Sequence, residues 1–172
     1  MTRLNVPWYL LGNWKLDGSQ LYNLEQSLLV KENAKENGLY TTYSTDNKHL
    51  GFLKSFYADI VDEIAKQQTF YNYSEMAYEF WVQMYTSTGE HPAHSHFGVN
   101  NNNIVSWVHF LKIPNVNCFR FTDGTNHLIP QQDEGDLLVF PPYCRHQVIQ
   151  HNTNTNRIVV AGNISLVKHT PT

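Results

Sequence analysis

The stretches His91–His96, HPAHSH, and Gly135–His146, GDLLVFPPYCRH, decide the fold of this 172-residue chain. The second stretch has the composition of a buried strand, a short apolar run that follows a glycine–aspartate pair and ends at two prolines. In the first stretch, His94 and His96 stand two positions apart, and such side chains project from one face of an extended strand. Together the two stretches predict strands that carry histidines to one place in a β-rich fold.

A metal site is the simplest expectation for these histidines. His94 and His96 offer two neutral nitrogens, and His146 offers a third from a distant strand. Neutral imidazoles bind divalent transition metals, and three protein ligands leave coordination positions open for water or substrate. We therefore expect His94, His96 and His146 to be the metal ligands. Glu90 and Asp123 are the nearest carboxylates that could replace one imidazole, but their spacing favours them less.

The other histidines are expected to have ordinary structural roles, because a lone histidine is usually a surface residue or a hydrogen-bonded core residue. His91 precedes a proline and is expected in a turn, although it could substitute for His94. The same ordinary role is assigned to His49, His127, His151 and His169.

Arg157 begins an apolar strand, RIVVA, shortly after His146. A guanidinium that faces the interior of a barrel needs an anion, and a carboxylate matches its planar fork. The alternative is an edge-strand arginine in solvent. Arg120 and Arg145 are other candidates for binding the anion. The sequence thus predicts a metal site with a buried arginine beside it.

Several short motifs cover roughly the C-terminal half of the chain, from about Glu79 to Val167. They are FWV at 80–82, HSH at 94–96, SWVHFL at 106–111, GDLLVFP at 135–141, HQV at 146–148, and RI at 157–158 with Asn163. In these motifs the chain resembles the 2-oxoglutarate/iron(II)-dependent oxygenases. It is most similar to a short, prolyl-hydroxylase-like family that is common in bacteriophages.

The resemblance implies a hydroxylating dioxygenase that uses Fe(II), O2 and 2-oxoglutarate, and converts the last to succinate. Arg157 would bind the distal carboxylate of 2-oxoglutarate and act with the three histidines as a catalytic residue, while His109 and Trp107 would lie beside this cosubstrate. The chain departs from the family pattern at three positions. His96 stands where a carboxylate ligand is commoner, Val159 replaces a hydroxyl residue, and His109 replaces a tyrosine.

Two other functions stay open at this point. The first is a cupin-like three-histidine metalloenzyme that does not use 2-oxoglutarate, although no glutamate follows the His94–His96 pair as in the usual cupin pattern. The second is a non-catalytic jelly-roll binding module, with the asparagine-rich loop at 98–103 as its contact surface. The primary substrate is undecided among protein side chains, nucleobases and metabolites, because a fold does not choose among them.

Composition sets the wider limits. Hydrophobic residues make up 41% and charged residues 16% of the chain, which is typical of a globular protein. We expect one domain over residues 1–172, with strand and helical support at 1–72 and a double-stranded β-helix core at 73–169. The net charge of −3 gives no footprint for nucleic acid. Two cysteines form no disulfide framework, and no signal peptide or membrane span is visible. The expected location is the cytoplasm, or the host cytoplasm for a phage protein, and homo-oligomer formation is left open.

Local patterns predict a mainly β protein with N-terminal α-helices, arranged as a cupin-like jelly roll. A first strand should end at Gly12-Asn13. One helix should begin near Asp17 and stop near Gly38, and a second should run over about 50–64, where apolar residues recur every three to four positions. Short strands with turn signals follow from residue 73 onward.

Overall fold

The computed structural model describes residues 4–45, 51–68, 76–97 and 102–166. Two antiparallel sheets face each other, and two helices pack on the outer face of the larger sheet. In chain order the elements are β1 (Tyr9–Asn13), α1 (Gly18–Leu28), β2 (Leu39–Thr41), α2 (Gly51–Gln67), β3 (Met76–Tyr85), β4 (His91–His94), β5 (Asn103–Lys112), β6 (Phe119–Thr122), β7 (His127–Leu128), β8 (Asp136–Phe140), β9 (His146–Val148) and β10 (Arg157–Leu166). The predicted double-stranded β-helix with N-terminal helices is confirmed.

Strand β10 is the central element of the larger sheet, whose order is β1-β8-β5-β10-β3-β2. It pairs with β3 along its whole length, from Arg157 opposite Tyr85 to Leu166 opposite Met76. The smaller sheet has the order β4-β9-β6-β7. The N-terminal part of the chain therefore contributes both outermost strands of the larger sheet as well as the helices.

Both faces of the larger sheet are buried. Alternate residues of β10, such as Ile158 and Val160, belong to the core that the helices cover. Val159 belongs to a second core between the sheets, together with Phe119 and Phe140. A strand that is buried on both faces is apolar at nearly every position, which explains the continuous runs in β5, β8 and β10.

Helix α1 begins as expected but ends ten residues earlier than Gly38. Asp17 caps it, since its carboxylate accepts hydrogen bonds from the backbone of Ser19 and Gln20 at 2.9 and 2.8 Å. At the other end, the buried Asn33 side chain donates to the carbonyls of Ser27 and Leu28, at 3.3 and 3.4 Å. Short 3₁₀ turns at Lys31–Asn33 and Glu36–Gly38 follow. The prediction that this helix continues to near Gly38 was wrong.

Further predictions concern strand β1, helix α2 and the asparagine-rich loop. Strand β1 ends at Asn13, as predicted, and a bulge between Leu10 and Gly12 shifts its pairing with β8 before that end. Helix α2 lies on the sheet as expected, with Tyr57 among its buried residues. Residues 98–101 of the asparagine-rich loop, like His49 and His169, lie outside the described residues. No helix in the described ranges is long and apolar enough to cross a membrane.

Candidate metal centre

The structure brings together the three histidines that the sequence singles out. Strand β4 pairs with β9 so that His94 lies opposite His146. His96 follows two residues later, and its backbone N–H donates to the carbonyl of Pro142 at 2.9 Å. One nitrogen from each of the three rings lies within 4.8 Å of the others, and these residues form a candidate metal group. The expected carboxylate alternatives, Glu90 and Asp123, do not belong to this group.

Each of the three imidazoles is held from behind through Nδ1. His94 Nδ1 donates to the Pro92 carbonyl at 2.9 Å, and His146 Nδ1 donates to the Cys144 carbonyl at 3.0 Å. His96 Nδ1 lies 2.7 Å from Oδ1 of Asn163. A carbonyl oxygen can only accept, so Nδ1 carries the hydrogen and Nε2 keeps its lone pair. Such partners orient metal-binding histidines and fix their tautomer, so the donor set fits a divalent transition metal.

Burial keeps these rings neutral. It lowers the pKa of His94 and His96, and it lowers the pKa of His146, which is only 6% exposed, well below its usual range. Repulsion from a neighbouring protonated imidazole lowers the pKa of His146 further. Protons therefore compete weakly with a metal for the three nitrogens near neutral pH.

His91 is a strand residue and not the expected turn residue. It is the first residue of β4, and its ring stacks on His94 with 4.1 Å between centroids. Burial, with a smaller contribution from His94, lowers its pKa to about 4. His91 nevertheless lies outside the group of three that could share a metal ion.

Arg157 is buried and unpaired, with 1% of its surface exposed. Its Nε, Nη1 and Nη2 atoms have no hydrogen-bond partner among the described residues. Its guanidinium carbon lies 5.1 Å from the Tyr85 ring centre and 5.6 Å from that of Phe110. Burial lowers its pKa from the ordinary value. An unpaired buried charge costs several kcal/mol, so this arrangement fits the binding of an anion.

One cavity borders both Arg157 and the three histidines. Its walls are formed by side chains of β3, β9 and β10 and by residues between the sheets. They include the aromatic residues Trp81, Tyr85 and Phe119, together with Gln83 and Val159. The cavity has a volume of about 30 Å³, so a molecule that reaches both the histidines and Arg157 has to move its walls apart.

Trp107 borders the cavity that contains Arg157 and the three histidines, whereas His109 does not. His109 Nε2 donates to the Trp14 carbonyl and Nδ1 accepts from the Tyr57 hydroxyl, each at 2.8 Å, on the helix side of the sheet. Trp107 borders the cavity, but its ring stacks on Tyr57 at 5.0 Å. On β5 it is Val108 and Phe110 that face Arg157.

Polar residues that were not predicted as site residues lie next to His96. Asn163 and Ser106 are buried there, and Glu79 follows at the edge. A period of two along β10 places Asn163 on the same face as Arg157. A polar residue on the same face of an apolar strand as Arg157 is a signal that could have identified Asn163 from the sequence.

A second, wider groove opens beside the histidines. It has a volume of about 400 Å³ and borders His94 and His96. Its walls include Tyr43 and Trp81, whose rings meet edge to face at 4.9 Å, and Glu79. This groove offers space for a second molecule next to the candidate metal group.

No protein-family model and no curated protein matches the sequence. The structure is similar to that of a Pseudomonas putida prolyl-4-hydroxylase, with a TM-score of 0.65 and 14% identity over 95% of this chain and 94% of that one. It is also similar to the viral collagen prolyl hydroxylase of Paramecium Bursaria Chlorella virus-1 in its 2-oxoglutarate complex, with a TM-score of 0.57 and 14% identity over 94% and 96% of the two chains.

A third similar structure is the non-haem α-ketoglutarate-dependent epimerase SnoN from nogalamycin biosynthesis. Its TM-score is 0.60 at 11% identity, over 92% of this chain and 77% of that one. Hydroxylases and an epimerase thus share this architecture, so the fold alone does not select one reaction. The chain has the fold of the 2-oxoglutarate/Fe(II) oxygenases, with a group of three histidines at its centre.

Proposed function

We propose that the protein is an Fe(II)- and 2-oxoglutarate-dependent dioxygenase that hydroxylates its substrate as 2-oxoglutarate is converted to succinate. The observation that carries this proposal is the buried, unpaired guanidinium of Arg157 in the same cavity as the three histidines. A metalloenzyme without an anionic cosubstrate, or a binding module, gives no reason to bury that charge. A dicarboxylic cosubstrate does.

The residues divide the work as follows. His94, His96 and His146 hold the iron through neutral nitrogens, which suits Fe(II) among other divalent metals. A bound iron would supply the activation of O2 and the coordination positions for the keto acid. Arg157 binds the distal carboxylate through charge-assisted hydrogen bonds and so orients the cosubstrate. Tyr85 and Phe110 exclude water around the guanidinium, which strengthens that ion pair.

The primary substrate binds in the wide groove next to His94 and His96. The groove contains the aromatic pair Tyr43 and Trp81, and 63% of the Tyr43 surface is exposed. Aromatic side chains supply large contact areas at low entropic cost. This position would bring a substrate to the open side of the metal group, while the cosubstrate occupies the inner cavity.

An anaerobic titration tests the metal and cosubstrate together. Fe(II) with 2-oxoglutarate should give a weak visible charge-transfer band, and His146→Ala should abolish it in a folded protein. The matched control is His127→Ala, because His127 is exposed on β7. Succinate formation at the wild-type rate by the His146→Ala variant would refute the proposal.

Arg157→Ala separates this function from a cupin-like enzyme. The variant should still bind metal but require about 10- to 100-fold more 2-oxoglutarate, since a charge-assisted hydrogen bond contributes about 1.5–3 kcal/mol. The control is Arg145→Ala, which removes an exposed guanidinium near His146. An unchanged 2-oxoglutarate requirement in Arg157→Ala would argue for a metalloenzyme with a different cosubstrate.

A further inference from the structure

A hydrogen-bonded chain runs from His96 to a carboxylate. His96 Nδ1 lies 2.7 Å from Asn163 Oδ1, and Asn163 Nδ2 donates to Glu79 Oε1 at 3.0 Å. Ser106 Oγ donates to the same Asn163 oxygen at 2.8 Å. Asn163, Glu79 and Ser106 lie on the adjacent strands β10, β3 and β5. Strand pairing places Asn163 opposite both Glu79 and Ser106.

The order of donors and acceptors in this chain is determined from the Glu79 end. An ionised carboxylate only accepts, so the NH2 group of Asn163 must face Glu79. The Asn163 carbonyl oxygen must then face His96, and an oxygen there requires a hydrogen on Nδ1. His96 therefore presents the lone pair of Nε2 to the candidate metal group. Glu79 thus sets the tautomer of an imidazole that it does not touch.

The surroundings make these contacts strong. Asn163 and Ser106 are 3% and 0% exposed, and hydrogen bonds in a low-dielectric interior polarise one another. Glu79 itself is exposed at the wide groove, so solvent screens its direct Coulomb attraction to the metal group. The chain of short contacts carries its influence inward instead.

We propose that Asn163 and Glu79 are positioning residues that supply indirectly the negative charge that a three-histidine ligand set lacks. The ligand set is neutral, whereas the commoner oxygenase pattern places a carboxylate where His96 stands. Here the carboxylate lies behind His96, polarises it through the Asn163 amide, and makes Nε2 a stronger donor. This inference rests on the proposed metal site, and its test uses metal binding alone.

The experiment is a titration of the metal-free protein with Co(II), followed by calorimetry and by the visible spectrum of the bound ion. Glu79→Gln should weaken binding about tenfold and Asn163→Ala by about 10- to 100-fold, the range that loss of such outer partners produces. Glu63→Gln, the same chemical change at a charged residue on α2, should bind Co(II) like the wild type. Thermal unfolding of each metal-free variant checks that it folds. If Asn163→Ala does not fold, Glu79→Gln still tests the inference, because Glu79 is exposed.

A charge exchange makes the test specific. In the double variant Asn163→Asp with Glu79→Gln, the new carboxylate accepts from His96 and Ser106, and the new amide donates to it. The net charge is that of the wild type, so Co(II) affinity and spectrum should return to at least the wild-type level. A double variant as weak as Asn163→Ala would overturn the inference, as would wild-type affinity in Glu79→Gln.

These outcomes are separable from failure of the proposed function. If the wild type and its variants all fail to bind Co(II), the metal site itself is refuted and the positioning role with it. If the wild type binds, His146→Ala does not, and Glu79→Gln is unchanged, only the positioning role is refuted.

Discussion

Arg157 lies over Tyr85, its partner across β10 and β3, with the guanidinium carbon 5.1 Å from the centre of the phenol ring. The ring faces the charge but cannot neutralise it, because a desolvated cation–π contact contributes about 2 kcal/mol, less than the several kcal/mol that burying a charge costs. Burial also raises the pKa of Tyr85 to about 12, so the phenol stays neutral and cannot serve as the counter-ion. The guanidinium therefore has no negatively charged partner among the described residues, which supports the proposal that Arg157 binds an anionic ligand.

Replacement of Arg157 by Met should therefore stabilise the ligand-free protein. A buried charge is exchanged for an apolar side chain of similar length, and we expect the free energy of unfolding to rise by about 1 kcal/mol or more. The same variant should lose the increase in Tm that 2-oxoglutarate gives the wild type. Chemical denaturation and thermal scans measure the two effects. A destabilised Arg157→Met would indicate that the guanidinium already has a partner within the protein.

His91 and His94 stack on each other, yet they should differ in metal binding. His94 belongs to the group of three and His91 does not. His94→Gln should abolish stoichiometric metal binding, whereas His91→Gln should keep it. Metal analysis after loading and desalting distinguishes the two variants. The reverse result would make His91 the ligand.

His109 should make stability depend on pH. Burial lowers its pKa from 6.5 to about 4, so the unfolded chain binds a proton at higher pH than the folded protein does. Stability must then fall as the pH is lowered from about 6.5 towards 4, with a contribution of roughly 1 kcal/mol between pH 7 and pH 5.5.

In the metal-free protein, His109→Gln should lower the free energy of unfolding at pH 7, because the hydrogen bonds to Trp14 and Tyr57 are lost. Between pH 7 and pH 5.5 the variant should lose less of this free energy than the wild type does. Urea denaturation at the two pH values measures the difference, with exposed His127→Gln as the matched control. Equal losses in the wild type and His109→Gln would show that His109 is not the titrating group.

Gly162→Ala should damage the sheet behind the metal group. A Cβ atom there would collide with ring atoms of Trp107 and would lie 2.6 Å from the backbone oxygen of Glu79. The backbone cannot move away without breaking β10 pairing, so we expect a loss of about 1–3 kcal/mol. Gly18→Ala is the control, because nothing lies within 4 Å of its added Cβ, and it should be neutral or slightly stabilising. Wild-type stability in Gly162→Ala would mean that the Trp107 ring does not lie against β10.

The group of three histidines could be predicted from sequence because two of its members are close together in the chain. Two residues separated by one share a face of any strand, which brings His94 and His96 together without knowledge of the fold. His146 required one further assumption, that its stretch pairs with theirs, and the antiparallel pairing of β4 with β9 satisfies it. Arg157 was recognisable as a charge at the start of an apolar strand.

The side of the sheet on which His109 lies could not be predicted from sequence. Strand β5 is buried on both faces, so its alternation of polar and apolar residues, which normally reveals the inward face, is lost. The end of α1 was hidden for a different reason. The side chain of Asn33, five residues beyond Leu28, caps the helix, and helical spacing contains no sign of it.

Strand β4 lies at the edge of the smaller sheet, and in the part of the chain that the structure describes it pairs with β9 alone. An ion bound by both His94 and His146 would add a second connection between β4 and β9, besides their backbone pairing. Amide hydrogens of β4 should exchange slowly when the ion is present and quickly after chelation. Removal of a metal bound there would therefore also loosen one wall of the wide groove, which His91, His94 and His96 border.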